Sequence, residues 1–427
     1  MVEPTRSEGA SDLFNAGFTS YGAGDFAKAL KLYHAALVAA PDWCEPRWHA
    51  GACCLQLRRY PGAIAYLKSA LAISGDNAML DYHLAKTFKD SGDLDASLAT
   101  YMTAQRLAPT NPEILYSLGL LHLLRGDWLA GWPGYEQRWH GSDRANVEHR
   151  PATELLQWQG ESVKPGSGIT VYAEQGMGDS LMCFRYANAL KASFAKVRFA
   201  ETAPLVSLLQ HSAPSGVEVV PRVHKPIDET GFTHFVHTMS LPAVFQATPA
   251  NVPAAPYLSA PQDRLVHWRQ RLAGERRPKI GLVWQGGKLS HAPARDMAFS
   301  CLAPLLARDG ICWVSLQKEE GMACAAPLTR WMSEVGDMAD TAALIANLDL
   351  VIAVDTAVAH LAGALGKPVW LLNRYESEWR WMHGKVSTPW YASMRIFSQQ
   401  SPGDWDDVVR KVGRAVDDLV SSDHRDE

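Results

Sequence analysis

Residues 348–372 read LDLVIAVDTAVAHLAGALGKPVWLL, and this stretch decides the fold of the second half of the chain. The apolar run up to Val354 predicts a buried parallel strand, Asp355 and Thr356 predict a turn, and the small residues that follow predict a helix. Residues 171–179, VYAEQGMGD, repeat this plan of strand, small-residue turn and helix. Such turns direct backbone N–H groups and a positive helix end at one point, which suits a phosphate. Two of them predict a cleft with one ligand on each wall.

The composition is typical of a globular protein with two or three domains. The chain has 427 residues, of which 47% are hydrophobic and 20% charged. A net charge of −4 and the lack of a Lys/Arg-rich run argue against nucleic-acid binding. Residues 1–14 show no signal peptide, and the seven cysteines lack C-x-x-C spacing, which favours free thiols. Polar residues and Pro368 interrupt the most apolar window, so we expect a cytoplasmic protein without a membrane span.

The N-terminal third repeats every 34 residues. The recurring positions are Gly17, Gly51, Ala85 and Gly119 within predicted helices, and Gly24, Gly92 and Gly126 in predicted turns. Small residues at a fixed period let paired helices cross closely, which is typical of a helical-repeat domain. Three full units fit, and a fourth begins at Asn111. The pattern predicts a repeat domain over residues 12–140.

The rest of the chain alternates short apolar runs with helical stretches, which predicts an α/β organisation. Residues 141–167 are polar with Pro and Gly and are predicted to form a linker. Residues 168–262 and 275–420 are predicted to form two α/β lobes, with a proline-rich boundary over 248–262.

The first glycine turn contains a candidate general base. Gly176 and Gly178 let a ligand approach the backbone, and Asp179 begins the helix and points into the predicted cleft. A carboxylate there could take the proton of an acceptor hydroxyl. Glu174, at the end of the strand, could orient Asp179 or replace it. The structural alternative for Asp179 is a plain helix N-cap.

The second turn is the candidate phosphate site. The Thr356 hydroxyl and the N–H groups from Ala357 onward would meet a diphosphate, and His360 faces the same side one turn later. The alternative is a capping Asp355 and a core histidine.

Two further strand ends belong to the same sheet edge, where ligands of open α/β sheets bind. Gln317 and Lys318 follow one strand, and Gln285 and Gly286 follow another, with Arg295 as a possible second cation. Lys318 and Arg295 could equally be surface residues. The Asp-x-Asp pairs lie in a repeat turn and in the closing helix, so we predict no metal and no cofactor.

Together these residues resemble a bacterial family in which tetratricopeptide repeats precede a heptosyltransferase-like (glycosyltransferase family 9) domain. The matching segments are GDWLAGWPGYEQRW (126–139), YAEQGMGDSLMCFRY (172–186), GLVWQGG (281–287), SLQK (315–318), the run 340–372 and TPWYASMRIF (388–397). The resemblance implies two Rossmann-like lobes of the GT-B type, with a metal-independent site between an acceptor lobe and a nucleotide-sugar lobe. It assigns the base to Asp179, diphosphate binding to Thr356 and His360, and assistance to Lys318. Some such proteins glycosylate flagellin or other proteins that the repeats hold.

Two alternatives remain beside a protein glycosyltransferase. One is a non-catalytic repeat scaffold with a degenerate transferase domain, favoured by Asp296, which would bring a negative charge near the expected phosphates. The other is a heptosyltransferase-like enzyme of the lipopolysaccharide core. The repeats argue against the latter, since helical-pair solenoids usually bind peptides.

Overall fold

The computed structural model of the protein describes residues 8–141, 151, 153–222, 227–287, 295–318 and 327–423. These residues form two compact units, which meet in sequence between residues 141 and 151. Of the predicted linker, residues 142–150 and 152 lie outside the described part of the chain. No helix among the described residues is both long and apolar enough to cross a bilayer.

The first unit is a series of eight α-helices in antiparallel pairs. They are α1 (Glu8–Gly22), α2 (Phe26–Ala39), α3 (Cys44–Gln56), α4 (Tyr60–Ser74), α5 (Ala78–Asp90), α6 (Leu94–Leu107), α7 (Pro112–Arg125) and α8 (Trp128–Tyr135). The aspartates after the turn glycines begin the second helix of a pair, since the Asp25 and Asp93 carboxylates accept hydrogen bonds from the third amide of α2 and α6. Such N-caps typically contribute about 1 kcal/mol each, which fixes where these helices start.

The recurring small residues lie where helices cross. A Cβ added to Gly17 would lie 2.7 Å from the Tyr33 ring, and one added to Gly119 would lie 2.7 Å from the Gly134 backbone. These contacts are too short for any side chain. The period seen in the sequence therefore reflects helix contact, and the predicted helical repeats are confirmed.

The second unit contains two sheets. Their strands are β1 (Leu156–Gln157), β2 (Gly168–Tyr172), β3 (Lys196–Glu201), β4 (Val217–Pro221), β5 (His234–His237), β6 (Lys279–Val283), β7 (Cys312–Ser315), β8 (Leu328–Arg330), β9 (Leu350–Val354), β10 (Val369–Asn373), β11 (Ser387–Thr388) and β12 (Tyr391–Ser398). Its helices are α9 (Met177–Cys183), α10 (Ala187–Ser193), α11 (Ala203–Ser212), α12 (Leu241–Val244), α13 (Gln262–Leu272), α14 (Ala303–Leu306), α15 (Met338–Ala346), α16 (Ala357–Ala364) and α17 (Trp405–Asp423).

Each sheet is built mainly from parallel strands joined through helices. The first lobe has strand order β1-β5-β2-β3-β4, and the second has β11-β12-β10-β9-β6-β7-β8, in which only the β11–β12 pair is antiparallel. Strands β2 and β9 are central and buried along their whole length. The turns that follow them therefore lie at the carboxyl edges of the two sheets, where open α/β sheets bind ligands. The predicted class, helical repeats followed by an α/β region, is confirmed.

Part of the predicted linker belongs to the first sheet. Leu156 and Gln157 pair with His234 and Phe235, and Trp158, which follows them, is buried. Helix α13 follows the proline-rich boundary and was not predicted, because its charged residues leave only a short apolar face.

The crossing glycines give a stability prediction. Gly119→Ala should lower the free energy of unfolding of the repeat unit by about 1–3 kcal/mol, since the methyl group overlaps the Gly134 backbone. Thermal or denaturant unfolding followed by circular dichroism measures this. Gly22→Ala is the control, because nothing lies within 4 Å of a Cβ there. Equal stability of the two variants would contradict this packing.

Candidate functional site

The two glycine-bearing turns of the sequence meet across the two lobes of the second unit. Helix α9, which follows β2, packs against α16, which follows β9. At the contact, a Cβ added to Gly178 would lie 2.7 Å from Cδ2 of His360. The predicted base and the predicted phosphate-binding helix therefore belong to one place, and Gly178 is what allows the two helices to come so close.

Asp179 has two partners. One carboxylate oxygen accepts a hydrogen bond of 3.0 Å from the Gly176 amide, and the other accepts one from the Arg380 guanidinium. The first contact places Asp179 at the third position of the short helix α9, where it binds the amide of the capping residue Gly176, so Asp179 is not itself the N-cap of the structural alternative. The second ties the first lobe to the second. The side chain is 17% exposed, so it is reachable from solvent.

Arg380 lies in the segment after β10 and joins two carboxylates. Besides Asp179, it binds Glu378 through an Nη1–Oε1 contact of 2.5 Å, and its guanidinium lies 4.4 Å from the centre of the Trp379 ring. Stacking on Trp379 thus holds the plane of the guanidinium, while its two terminal nitrogens bind Asp179 and Glu378. Sequence reasoning missed Arg380 as a site residue, because no strand or helix period marks it.

His360 is a buried, neutral histidine. Burial lowers its pKa to about 3, and the positive charge of Arg380 acts in the same direction against the smaller, opposing effect of Asp179. Its Nδ1 shares a hydrogen bond of 2.9 Å with the Tyr391 hydroxyl, and its Nε2 lies 3.9 Å from Asp355. At neutral pH this side chain can form hydrogen bonds to a ligand but cannot neutralise its charge.

The start of α16 is partly exposed. The Thr356 hydroxyl donates to the Val354 carbonyl over 3.1 Å, so this side chain does not cap the helix. The first amides of a helix have no partner within it and attract anions. Asp355, Thr356 and Ala357 are half-buried. These residues keep their predicted role in diphosphate binding, and that role stays a prediction.

The other two strand ends approach each other through Gln317. Its side-chain oxygen accepts hydrogen bonds from the amides of Trp284 and Gln285, at 3.3 and 3.0 Å. Gln317 therefore joins the loops after β6 and β7. Lys318, the next residue, is exposed and is positioned at the same sheet edge.

Asp296 is hydrogen-bonded within the loop after β6. Its carboxylate accepts a hydrogen bond of 2.8 Å from the Gly286 amide, and its carbonyl accepts one from the Trp405 indole. The acid therefore closes the loop after β6. Arg295 lies against Gly286, and its charge contributes to lowering the pKa of His360. The carboxylate that was expected near the phosphates is thus hydrogen-bonded within the loop, and the positively charged Arg295 lies beside the same loop.

Glu174 is turned into the first lobe. It is 2% exposed, and its carboxylate accepts a hydrogen bond of 2.7 Å from the Met239 amide. This contact fixes the short turn Thr238–Ser240 after β5. Glu174 thus has a structural role in the arrangement described, and its part as a second catalytic carboxylate stays a prediction.

Within the described ranges, no group of three or more His, Cys, Asp or Glu side chains is arranged to hold a metal ion. The metal-independent reaction stays a prediction.

Comparison with known proteins agrees with both halves of this architecture. Residues 20–78 and 82–138 match the tetratricopeptide repeat, and residues 296–406 match glycosyltransferase family 9, the heptosyltransferases. The chain combines tetratricopeptide repeats with a glycosyltransferase family 9 domain. The family 9 match includes Lys318, the segment from Asp355 to His360, and Arg380, whereas Asp179 lies before it.

Similar whole proteins and solved structures were also found. The chain is 27% identical to Protein FlbA of Caulobacter vibrioides over 432 residues, which is 92% of this chain and 70% of FlbA. Among solved structures, MamA from Desulfovibrio magneticus is 19% identical, with a TM-score of 0.29, and the match covers 30% of this chain and 72% of MamA. The chaperone SycD of Yersinia enterocolitica, solved with a peptide of the translocator YopD, is 20% identical with a TM-score of 0.26, covering 28% and 98% of the two chains.

The first lobe of the second unit also buries a carboxylate that the sequence did not reveal. Glu201 ends β3 and is 0% exposed, and neither of its carboxylate oxygens has a hydrogen-bond partner of good geometry among the described residues. Burial raises its pKa to about 7, against weaker opposing effects of Ser180, the Thr202 amide and Arg222.

Glu201 gives a prediction for the pH dependence of stability. On folding, the pKa of Glu201 rises from 4.5 to about 7. The protonated side chain therefore contributes fully to the free energy of unfolding below pH 4.5, and this contribution is lost as the pH rises through 7. The shift corresponds to about 3 kcal/mol. The free energy of unfolding of Glu201→Gln should therefore lack this decline between pH 5 and 8, as measured by urea unfolding. Glu154→Gln, at an exposed position, is the control, and parallel curves for wild type and Glu201→Gln would contradict the prediction.

Proposed function

We propose that the protein is an inverting glycosyltransferase that moves a sugar from a nucleotide-sugar donor to a hydroxyl group of a protein held by the repeats. The observation that carries this proposal is the meeting of Asp179 with the start of α16 across the two lobes. A base and an anion-binding helix end within one site are the two groups that metal-independent sugar transfer requires.

The reaction follows from the positions of these groups. The acceptor hydroxyl gives its proton to Asp179 while its oxygen attacks the anomeric carbon of the sugar. The bond from that carbon to the diphosphate breaks, and its electron pair leaves with the nucleotide. The first amides of α16 and Lys318 stabilise the charge that develops on the diphosphate, and the Thr356 hydroxyl joins them when its hydrogen turns from the Val354 carbonyl to a phosphate oxygen. Neutral His360 contributes a hydrogen bond.

The repeats support a protein as acceptor. Phe14, Trp48, Tyr82 and Tyr116 occupy the same slot of the helices α1, α3, α5 and α7, which contact one another in that order. All four rings are partly exposed, and the ring centres of Trp48 and His83 lie 5.3 Å apart. A series of partly exposed aromatic rings on successive helices gives a surface that suits an extended polypeptide.

The degenerate-scaffold alternative had one feature in its favour, the charge of Asp296. The Gly286 amide binds that carboxylate, which gives Asp296 a role within the loop and weakens it as an argument for a degenerate domain. A lipopolysaccharide acceptor has no specific support in the described residues.

The first test concerns the base. The probes are UDP-, GDP-, ADP- and dTDP-linked sugars, with mass spectrometry of the released nucleotide. Asp179→Asn should lower turnover of the donor by about 10²–10⁴-fold, the usual contribution of a general base, while nucleotide binding is retained.

The control for this test is Asp337→Asn. Asp337 also begins a helix and pairs with an arginine, Arg264, but it lies at α15, so donor turnover should be unchanged. Undiminished turnover in Asp179→Asn would eliminate Asp179 as the base, and absence of turnover with every donor in the wild type would argue against the enzyme.

The second test concerns the acceptor. Trp48→Ala and Tyr82→Ala should lower the transfer of labelled sugar to protein by roughly tenfold, the effect of losing one aromatic anchor. Hydrolysis of the donor without acceptor should not change, because the transferase unit is untouched. Ile73→Ala removes an exposed apolar side chain of α4 and is the control. Unchanged transfer in both aromatic variants would exclude this surface.

A further inference from the structure

We propose that Arg380 is an exchangeable cation, which pairs with Asp179 in the free protein and with the donor diphosphate in the complex. Donor binding would thereby release Asp179 to act as the base. This inference rests on the proposed function and adds an order of events to it, since the base becomes available only when the donor is in place.

The balance of charge supports this exchange. Asp179 and Glu378 both bind Arg380, and Asp355 is close enough to Glu378 to raise the pKa of that carboxyl. Two acidic side chains thus share one guanidinium, and a third acid lies near one of them. A diphosphate brought to the start of α16 would add further negative charge, which needs a cation in contact with it.

Arg380 is also better placed for an exchange than Arg185. Among the described residues, the arginines that influence the pKa of His360 include Arg380, Arg185 and Arg295. Arg185 is fixed, because it donates to the carbonyls of Met182 and Trp390 at 2.7 Å and is enclosed by aromatic rings. Arg380, in contrast, binds the carboxylates of Asp179 and Glu378, which a phosphate can replace.

The chemistry of a guanidinium allows this exchange. It presents five N–H donors in a planar fork and binds phosphate and carboxylate in the same two-point geometry. Stacking on Trp379 keeps the plane in place during the exchange. In the free protein the Gly176 amide and Arg380 each bind one oxygen of the Asp179 carboxylate, so loss of the Arg380 contact frees an oxygen for the acceptor hydroxyl.

The step is balanced in atoms and charge. The acceptor proton moves to Asp179, the new carbon–oxygen bond forms, and the electron pair of the broken bond leaves on the diphosphate. Arg380, now on that diphosphate, neutralises part of the charge that the leaving group gains.

The exchange is tested by a double-mutant cycle on the full chain. Wild type, Asp179→Asn, Arg380→Gln and the double variant are titrated by calorimetry with ADP, GDP, UDP and dTDP. For the diphosphate that the wild type binds, Arg380→Gln should weaken binding about tenfold, the usual loss for one charged hydrogen-bonding pair. Asp179→Asn should tighten binding several-fold, because it frees the guanidinium, and this gain should vanish when Arg380 is absent.

Two variants guard against a purely structural effect. Glu378→Gln leaves Asp179 intact and should also tighten binding, and Arg380→Lys should restore part of the affinity through its charge alone. Arg264→Gln breaks the comparable pair with Asp337 and should change nothing.

The outcomes separate the two proposals. The exchange is overturned if Asp179→Asn changes the affinity for the diphosphate equally with and without Arg380. It is also overturned if Arg380→Gln leaves that affinity unchanged. In both cases the proposed transferase stands. A wild-type protein that binds none of the four diphosphates overturns the transferase proposal, and this inference with it.

Discussion

The close contact between Gly178 and His360 determines how the two lobes of the second unit pack against each other. Since no side chain larger than hydrogen fits at residue 178, the helices α9 and α16 meet with their first turns side by side. A parallel sheet stands behind each helix, so both turns lie at carboxyl edges. This contact brings the helix that carries Asp179 next to the helix that follows Thr356. It also brings Asp179 within hydrogen-bond distance of Arg380.

Burial and hydrogen bonding then determine which polar residues carry charge at the site. Burial keeps His360 neutral, so positive charge at the site comes from arginine and lysine side chains and from the helix end. Glu174 and Asp296, which carried charge in the sequence-based picture, bind backbone amides and stabilise turns. The acids that remain in contact with a cation are Asp179 and Glu378.

Much of the fold was predictable because its signals are local and periodic. The small residues at crossings, the capping aspartates and the buried run before Asp355 all specify structure within a few residues of themselves. Strand β1 escaped prediction because its two residues are exposed and its pairing comes from β5, far along the chain. The role of Arg380 could not be predicted for a related reason. Its partner Asp179 is 201 residues away in sequence, and the two meet through the packing of the lobes. The burial of Glu201 likewise depends on tertiary packing.

The proposed reaction requires a nucleoside diphosphate at the start of α16, opposite Asp179. A crystal structure of the protein with the nucleoside diphosphate of its donor tests this directly. We expect diphosphate oxygens within hydrogen-bond distance of the Ala357 amide and the Arg380 guanidinium, with Asp179 released from that arginine. A diphosphate bound elsewhere, or one at α16 with the Asp179–Arg380 pair intact, would contradict the proposed reaction or its exchange step, respectively.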